Sequence, residues 1–219
     1  VSAERRYDFD TLHFFGRMNV QLTHDMKNTV ATISETAALV DEILGLSSHG
    51  NVHPKVPELS SRIVEQAQRC QTMLTRINGL AHLLDKPEQS ADLAQLLDFS
   101  VALAESLPFA RTVRFTPLDQ SLYATISPFL FIQALLGCLA VSFTGLTSEQ
   151  EVAMEAEHVQ GTLRVVFTGL APPDPEASTA AEFDPFRLEA LEALNGHIDL
   201  DRDQGRLVLT LPVEKAGAG

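Results

Sequence analysis

The feature that most constrains this chain is a run of apolar residues recurring at alternating steps of three and four from about Tyr7 to Leu46. Leu12, Phe15, Met18, Leu22, Met26, Val30, Ile33, Ala37, Val40 and Leu44 share one face of a helix with 3.6 residues per turn. At 1.5 Å per residue that helix is roughly 60 Å long, more than a small globular domain needs. A helix of this length calls for a helical partner. The stretch "GLSSHGNVHPKVP", Gly45 to Pro57, is rich in Gly, Ser and Pro and reads as a turn. After it a second helix is predicted from Glu58 to Leu84, with Leu59, Ile63, Ala67, Cys70, Leu74, Ile77, Ala81 and Leu84 on its seam. The two make an antiparallel hairpin. A lone hairpin leaves part of its apolar stripe wet, and two hairpins packed as a four-helix bundle, in a homodimer, would cover it.

"DKPEQSAD", Asp85 to Asp92, reads as a linker, and beyond it helices and strands alternate. A helix is predicted over Leu93 to Ser106 and a strand over Thr112 to Thr116. Ser127 and Pro128 stand as N-cap and first-turn residue of a core helix running to about Phe143. "EVAMEAEHVQGTLRVVFTG" alternates apolar and polar residues around a turn near Gly161, the pattern of a β-hairpin. A short helix over Pro185 to Asn195 then leads into "HIDLDRDQGRLVLTLPV", a second hairpin turning at Gln204 and Gly205. The expected fold class is α+β: a helical hairpin over residues 7–86, then an α/β sandwich with a mostly antiparallel sheet over residues 91–214. The closing "EKAGAG" reads as a frayed end.

Charge narrows the function classes. With 219 residues, 45% of them hydrophobic, the chain can bury a core, and its formal net charge of -13 argues against nucleic acid and against an anionic membrane surface. The most apolar run, "FLFIQALLGCLAVSF" from Phe129 to Phe143, is shorter than the ~20 residues that span a bilayer. Cys70 and Cys138 match no metal or redox spacing and are expected as reduced, buried thiols, which suits a cytoplasmic setting. His49 and His53 have the spacing of a helical metal pair but flank Gly50 and precede Pro54 in the turn, so no metal site is expected there. No signal peptide opens the chain, and without an initiator Met these residues read as a piece of something longer.

The chemistry concentrates in "LTHDMKNTV", residues 22–30. His24 lies two positions from the seam residues Leu22 and Met26, so it faces solvent, and Arg17, Gln21 and Asn28 are predicted on the same outward face. An exposed imidazole is largely neutral in neutral solution and keeps one ring nitrogen free to attack phosphorus. Asp25, the next residue, can orient the ring or assist its proton transfer.

His-Asp-x-Lys-Asn on the first helix of a hairpin, followed directly by an α/β domain, resembles the dimerisation and histidine-phosphotransfer region of two-component sensor kinases. "FDPF", Phe183 to Phe186, is similar to that family's Phe-x-Pro-Phe box. "EALNGHIDLDRDQGRLVLTLPV" is similar to the closing helix and hairpin of its ATP-binding domain. The resemblance covers the chain from about residue 8 to 214 and implies that His24 is the phosphoacceptor, Asp25 its acid/base neighbour and Asn28 the position that orients water in receiver dephosphorylation. It also implies what is missing. The two Asn residues that hold magnesium and phosphates in active kinases fall on Gly137 and Val141, neither able to coordinate a metal. The Asp-x-Gly-x-Gly box, whose Asp bonds adenine, falls on "FTGLA", where Phe167 replaces the Asp, Gly169 is kept and Ala171 replaces the second Gly. "RLEALEALNG" begins the last helix at once, leaving no room for the second glycine box.

ATP-dependent autophosphorylation is therefore not expected, because phosphoryl transfer from ATP rests on metal and phosphate positioning. The resemblance points instead to kinase-like histidine phosphotransferases, in which one response-regulator receiver domain phosphorylates the histidine and another takes the group away. No cofactor or metal of the chain's own is then required, since the receiver brings the magnesium. Arg17, Gln21 and Lys27 are the expected partner or phosphate contacts. Two other readings stand beside this one: a pseudokinase that binds or regulates a kinase or receiver without transfer, and a receiver phosphatase using Asn28.

Overall fold

The computed structural model describes residues 3–46, 53–85, 88–105, 112–147, 149–172 and 190–213, with the side chains of the first helix from Phe14 to Gly45. In chain order the elements are α1 (Ala3–Leu46), α2 (Lys55–His82), β1 (Gln89–Asp92), α3 (Leu93–Ala104), β2 (Thr112–Thr116), β3 (Tyr123–Ile126), α4 (Pro128–Phe143), β4 (Glu151–Val159), β5 (Thr162–Thr168), β6 (His197–Asp201) and β7 (Arg206–Pro212). Residues 190–193 are also helical. The "FDPF" box and the first half of the predicted last helix lie outside the described residues, as does His49.

Residues Gly16–Ala81 form one compact unit, the helical hairpin. α1 has 44 residues and α2 has 28. α2 starts at Lys55, inside the predicted turn, because Pro57 falls in its first turn, where no backbone N–H is needed for the helix ladder. The His53 Nδ1 accepts a hydrogen bond from the Lys55 backbone N–H at 3.3 Å. The covered stripe of α2 runs Val56, Leu59, Ile63, Gln66, Cys70, Met73, Ile77, Leu80, an unbroken alternation of three and four. Gln66, Met73 and Leu80 thus replace the predicted Ala67, Leu74 and Ala81, and Leu74 is exposed. On α1, Met18 and Leu22 are buried as expected, whereas farther along Thr29 and Thr36 are buried and Val30 and Leu44 are exposed. The two hydroxyls are tolerated inside because each donates to a carbonyl one turn back, Thr29 to Asp25 at 2.9 Å and Thr36 to Thr32 at 2.7 Å. Cys70 is half-buried and Cys138 buried, and neither is in a disulfide.

Residues up to Phe15 and from His82 onward form the second unit. Its five-stranded sheet has the order β2-β4-β5-β7-β6, with β2 parallel to β4 and every other pairing antiparallel. β1 and β3 pair antiparallel as a separate two-stranded sheet. Neither was predicted: β1 falls in the apparent linker, and β3 is four residues long. β4 and β5 turn on Gln160 and Gly161, both at positive φ, the geometry that matches the twist of a two-residue hairpin. One face of the sheet is apolar in strict alternation: Val152 and Met154, then Leu163, Val165 and Phe167, then Leu207, Leu209 and Leu211, all buried. At about 1.5–3 kcal/mol per large apolar side chain, this face is a principal source of the unit's stability. α3 and α4 pack together, and α4 lies on β5 and β7. Asp92 caps α3 by accepting from the Ala94 N–H at 3.0 Å, and Ser127 caps α4, with Pro128 in its first turn. Within this unit Phe14, near the start of α1, meets the Phe129 ring edge-on at 5.6 Å.

Candidate functional site

His24 stands midway along α1. It is two residues from the fully buried Leu22, a rotation of roughly 200° about the helix axis, so burying Leu22 turns His24 outward. Its side chain is 67% exposed, against 22% for the neighbouring Asp25. Asp25 Oδ1 lies 3.5 Å from His24 Nδ1, and Asn28 Nδ2, one turn on, lies 3.4 Å from the same nitrogen. Both neighbours converge on Nδ1, which leaves Nε2, across the ring, for a group arriving from solvent. The nearby hydroxyls are engaged elsewhere: Thr23 donates to the carbonyls of Asn19 and Val20, Thr29 to that of Asp25 and Thr32 to that of Asn28.

Arg17, Lys27 and Asn28 are exposed, and Gln21 is half-buried at the flank of the seam. Within seven positions of His24 stand two cations, Arg17 and Lys27, and one acid, Asp25. Val20, absent from the predicted set, is 71% exposed and lies one turn before His24.

The positions matched to a nucleotide site are arranged differently. Gly137 and Val141 are buried within α4, of whose 16 residues only Leu130 and Ala140 are not buried. Phe167 is fully buried on the inner face of β5, opposite Met154 and Leu207. Ala171 is buried, and its carbonyl accepts from Arg202 Nη1 at 3.3 Å. Gly169 is exposed, at φ +88°, and a Cβ there would sit 2.8 Å from the Glu151 carbonyl oxygen, so the sheet itself requires a glycine. None of these five positions carries a carboxylate or amide side chain that could coordinate magnesium or hydrogen-bond an adenine ring. Among the described residues no cluster of three His, Cys, Asp or Glu side chains could hold a metal ion, and no helix is long and apolar enough to cross a membrane.

No known protein family matches the sequence, and no curated protein does. Solved structures do share its shape. A bacterial phosphotransferase, determined at 1.7 Å, aligns over 96% of this chain and 97% of its own, with a TM-score of 0.55 and 14% identity. The Acinetobacter baumannii histidine kinase AdeS aligns over 89% of this chain and 98% of its own, with a TM-score of 0.43 and 11% identity. The catalytic domain of histidine kinase ThkA covers 59% of this chain and 99% of its own, with a TM-score of 0.46 and 13% identity. The first of these establishes a shared fold along the length of both chains: a long helical hairpin followed by a mixed-sheet α/β domain.

Proposed function

We propose that this chain is a phosphorelay histidine phosphotransferase in which His24 takes a phosphoryl group from the aspartyl phosphate of one response-regulator receiver domain and passes it to the aspartate of another. The observation that supports this reading is the exposed imidazole with both neighbours on Nδ1, together with buried, metal-inert Gly137, Val141 and Phe167 at the positions where the resemblance to sensor kinases expects nucleotide contacts. A solved structure of the same fold is a bacterial phosphotransferase, which is consistent with this reaction class.

In the transfer, Nε2 forms a bond to phosphorus as the acyl P–O bond breaks, and the receiver's carboxylate leaves with the electron pair. The proton on Nδ1 stays on the ring, and the Asp25 carboxylate stabilises the cationic character that the ring gains. Transfer to the second receiver runs the same steps in reverse. Orientation does most of the work, since the hairpin holds a nucleophile for a reactive mixed anhydride that the partner supplies. Arg17, Gln21 and Lys27 contact the partner or the transferred phosphate, and the exposed Val20 offers the partner an apolar anchor. The receiver contributes its own magnesium.

We further propose a homodimer through the hairpins. Val30 and Leu44 on α1, with Val64 and Leu74 on α2, are each 46–54% exposed in the single chain and lie beside the covered seams, where a second hairpin would complete a four-helix bundle. His24 lies away from this stripe and stays accessible. Two cysteines outside any disulfide suit a reducing, cytoplasmic setting.

The test is to incubate the protein with radiolabelled ATP and magnesium and, separately, with a panel of phosphorylated receiver domains, comparing wild type with His24→Ala. Label from a receiver but not from ATP, lost in the variant, is the expected result. Label from ATP would overturn the reading of Gly137, Val141 and Phe167, and no label from any receiver would leave the chain a non-transferring regulator.

A further inference from the structure

We propose that Asn28 and Asp25 compete for the Nδ1 atom of His24 and so set which ring nitrogen carries the proton, making Asn28 a positioning residue that restrains the nucleophile until a phosphoryl donor arrives. The inference deepens the phosphotransfer reading and takes its motive from it. Its own evidence is the geometry at the ring.

A neutral imidazole has one N–H and one lone pair in the ring plane. The Asp25 carboxylate, 3.5 Å from Nδ1, can only accept, so it favours the tautomer with the proton on Nδ1 and the lone pair on Nε2. The Asn28 carboxamide nitrogen, 3.4 Å from the same atom, can only donate, so it favours the tautomer with the lone pair on Nδ1 and the proton on Nε2. The first tautomer can attack phosphorus through Nε2, and the second cannot. One nitrogen cannot satisfy both neighbours at once. Both contacts are longer than a well-formed hydrogen bond and exposed to water, so neither dominates and a third group can decide between them.

The donor's phosphoryl oxygens are such a group. They accept hydrogen bonds strongly and present negative charge, and Asn28 is exposed one helical turn from His24. When the Asn28 N–H donates to the incoming phosphate, Nδ1 is released to take the proton toward Asp25, and Nε2 gains its lone pair as the phosphorus comes within reach. The same residue that quiets the ring in the free protein thereby arms it in the complex. Nothing is oxidised or reduced: one proton changes ring nitrogen, by exchange with solvent.

The experiment uses the full chain with 15N-labelled histidine and a long-range proton–nitrogen correlation at about pH 8, where an ordinary imidazole is neutral. The His24 ring signals are identified by their loss in His24→Gln. Wild type should show averaged nitrogen shifts from two populated tautomers. Asn28→Ala should move the ratio toward Nδ1–H by about two- to fivefold, and Asp25→Asn should move it the other way. Asn28→Asp, which places a second acceptor at Nδ1, should drive the ring further to Nδ1–H. If Asn28→Ala leaves both shifts unchanged, or moves them toward Nε2–H, the inference is overturned; the latter would mean that the amide oxygen faces the ring. Asn28 is exposed, so its replacement leaves the fold intact, which circular dichroism checks. No phosphoryl donor enters this measurement, so its failure is separate from a failure of transfer in the receiver panel.

Discussion

Replacing Phe167 by Asp introduces the acid that the resemblance to sensor kinases would place there, and it separates a dormant nucleotide pocket from a filled core. Phe167 is fully buried between Met154 and Leu207 on the neighbouring strands. Truncating a buried Phe costs about 3–5 kcal/mol. Placing a polar carboxyl there without a partner adds about 1–3 kcal/mol more. The sum, about 4–8 kcal/mol, is comparable to the whole stability of a domain, about 5–15 kcal/mol. The new carboxyl would be held protonated by its apolar surroundings, so its pKa in the folded state would lie above the unfolded value near 3.9. The folded state then binds more protons than the unfolded one, and stability falls as pH rises through that window, by about 1.4 kcal/mol per unit. Urea denaturation followed by circular dichroism should therefore show Phe167→Asp strongly destabilised at neutral pH and partly recovered near pH 5, with Phe167→Leu as the mild control. A variant within about 1 kcal/mol of wild type at pH 7, or one whose melting temperature rises on adding ATP and magnesium, would refute the argument from packing.

Leu74→Asp should shift the chain from dimer to monomer in sedimentation while leaving its helical content intact, because Leu74 is exposed in the single chain and a charge there is penalised only in a bundle. An unchanged sedimentation coefficient would remove the dimer from the proposal. Thr36→Val should leave stability unchanged or raise it by up to about 1 kcal/mol in thermal denaturation, since the hydroxyl donates to the Thr32 carbonyl of its own helix and the shape is kept. A loss of 2 kcal/mol or more would show that the hydroxyl does more than satisfy itself.

The position of His24 on an exposed face was legible from two residues of seam, Leu22 and Met26, because a helix fixes the angle between neighbours whatever surrounds it. The seam's later half was not. Both helices carry two adjacent apolar stripes one residue apart, and hydrophobicity does not say which stripe meets the partner helix of the same chain. In α1 the stripe chosen holds Thr29 and Thr36, whose hydroxyls can satisfy themselves on the helix backbone and so pass as core residues. β1 and β3 left no signal because each is four residues long and exists through pairing with the other. The β4–β5 hairpin was legible because strand alternation and a Gln-Gly turn coincide. The sequence places His24, Asp25 and Asn28 within one turn of a helix, but the convergence of Asp25 and Asn28 on a single ring nitrogen needed coordinates.

The strand pairings also set an order of assembly. β4 with β5, and β6 with β7, are neighbours in sequence and can close within short loops. β1 finds β3 only across α3 and β2, and β2 finds β4 only across β3 and α4. These two long closures interlock, since the segment between β1 and β4 must settle as one piece before either is complete. Refolding of the α/β unit is therefore expected to wait on α4 reaching the sheet, with the helix acting as the keystone of a late, concerted step. α1, which carries His24, draws on local hydrogen bonds along its whole length, so this helix can form well before the sheet closes.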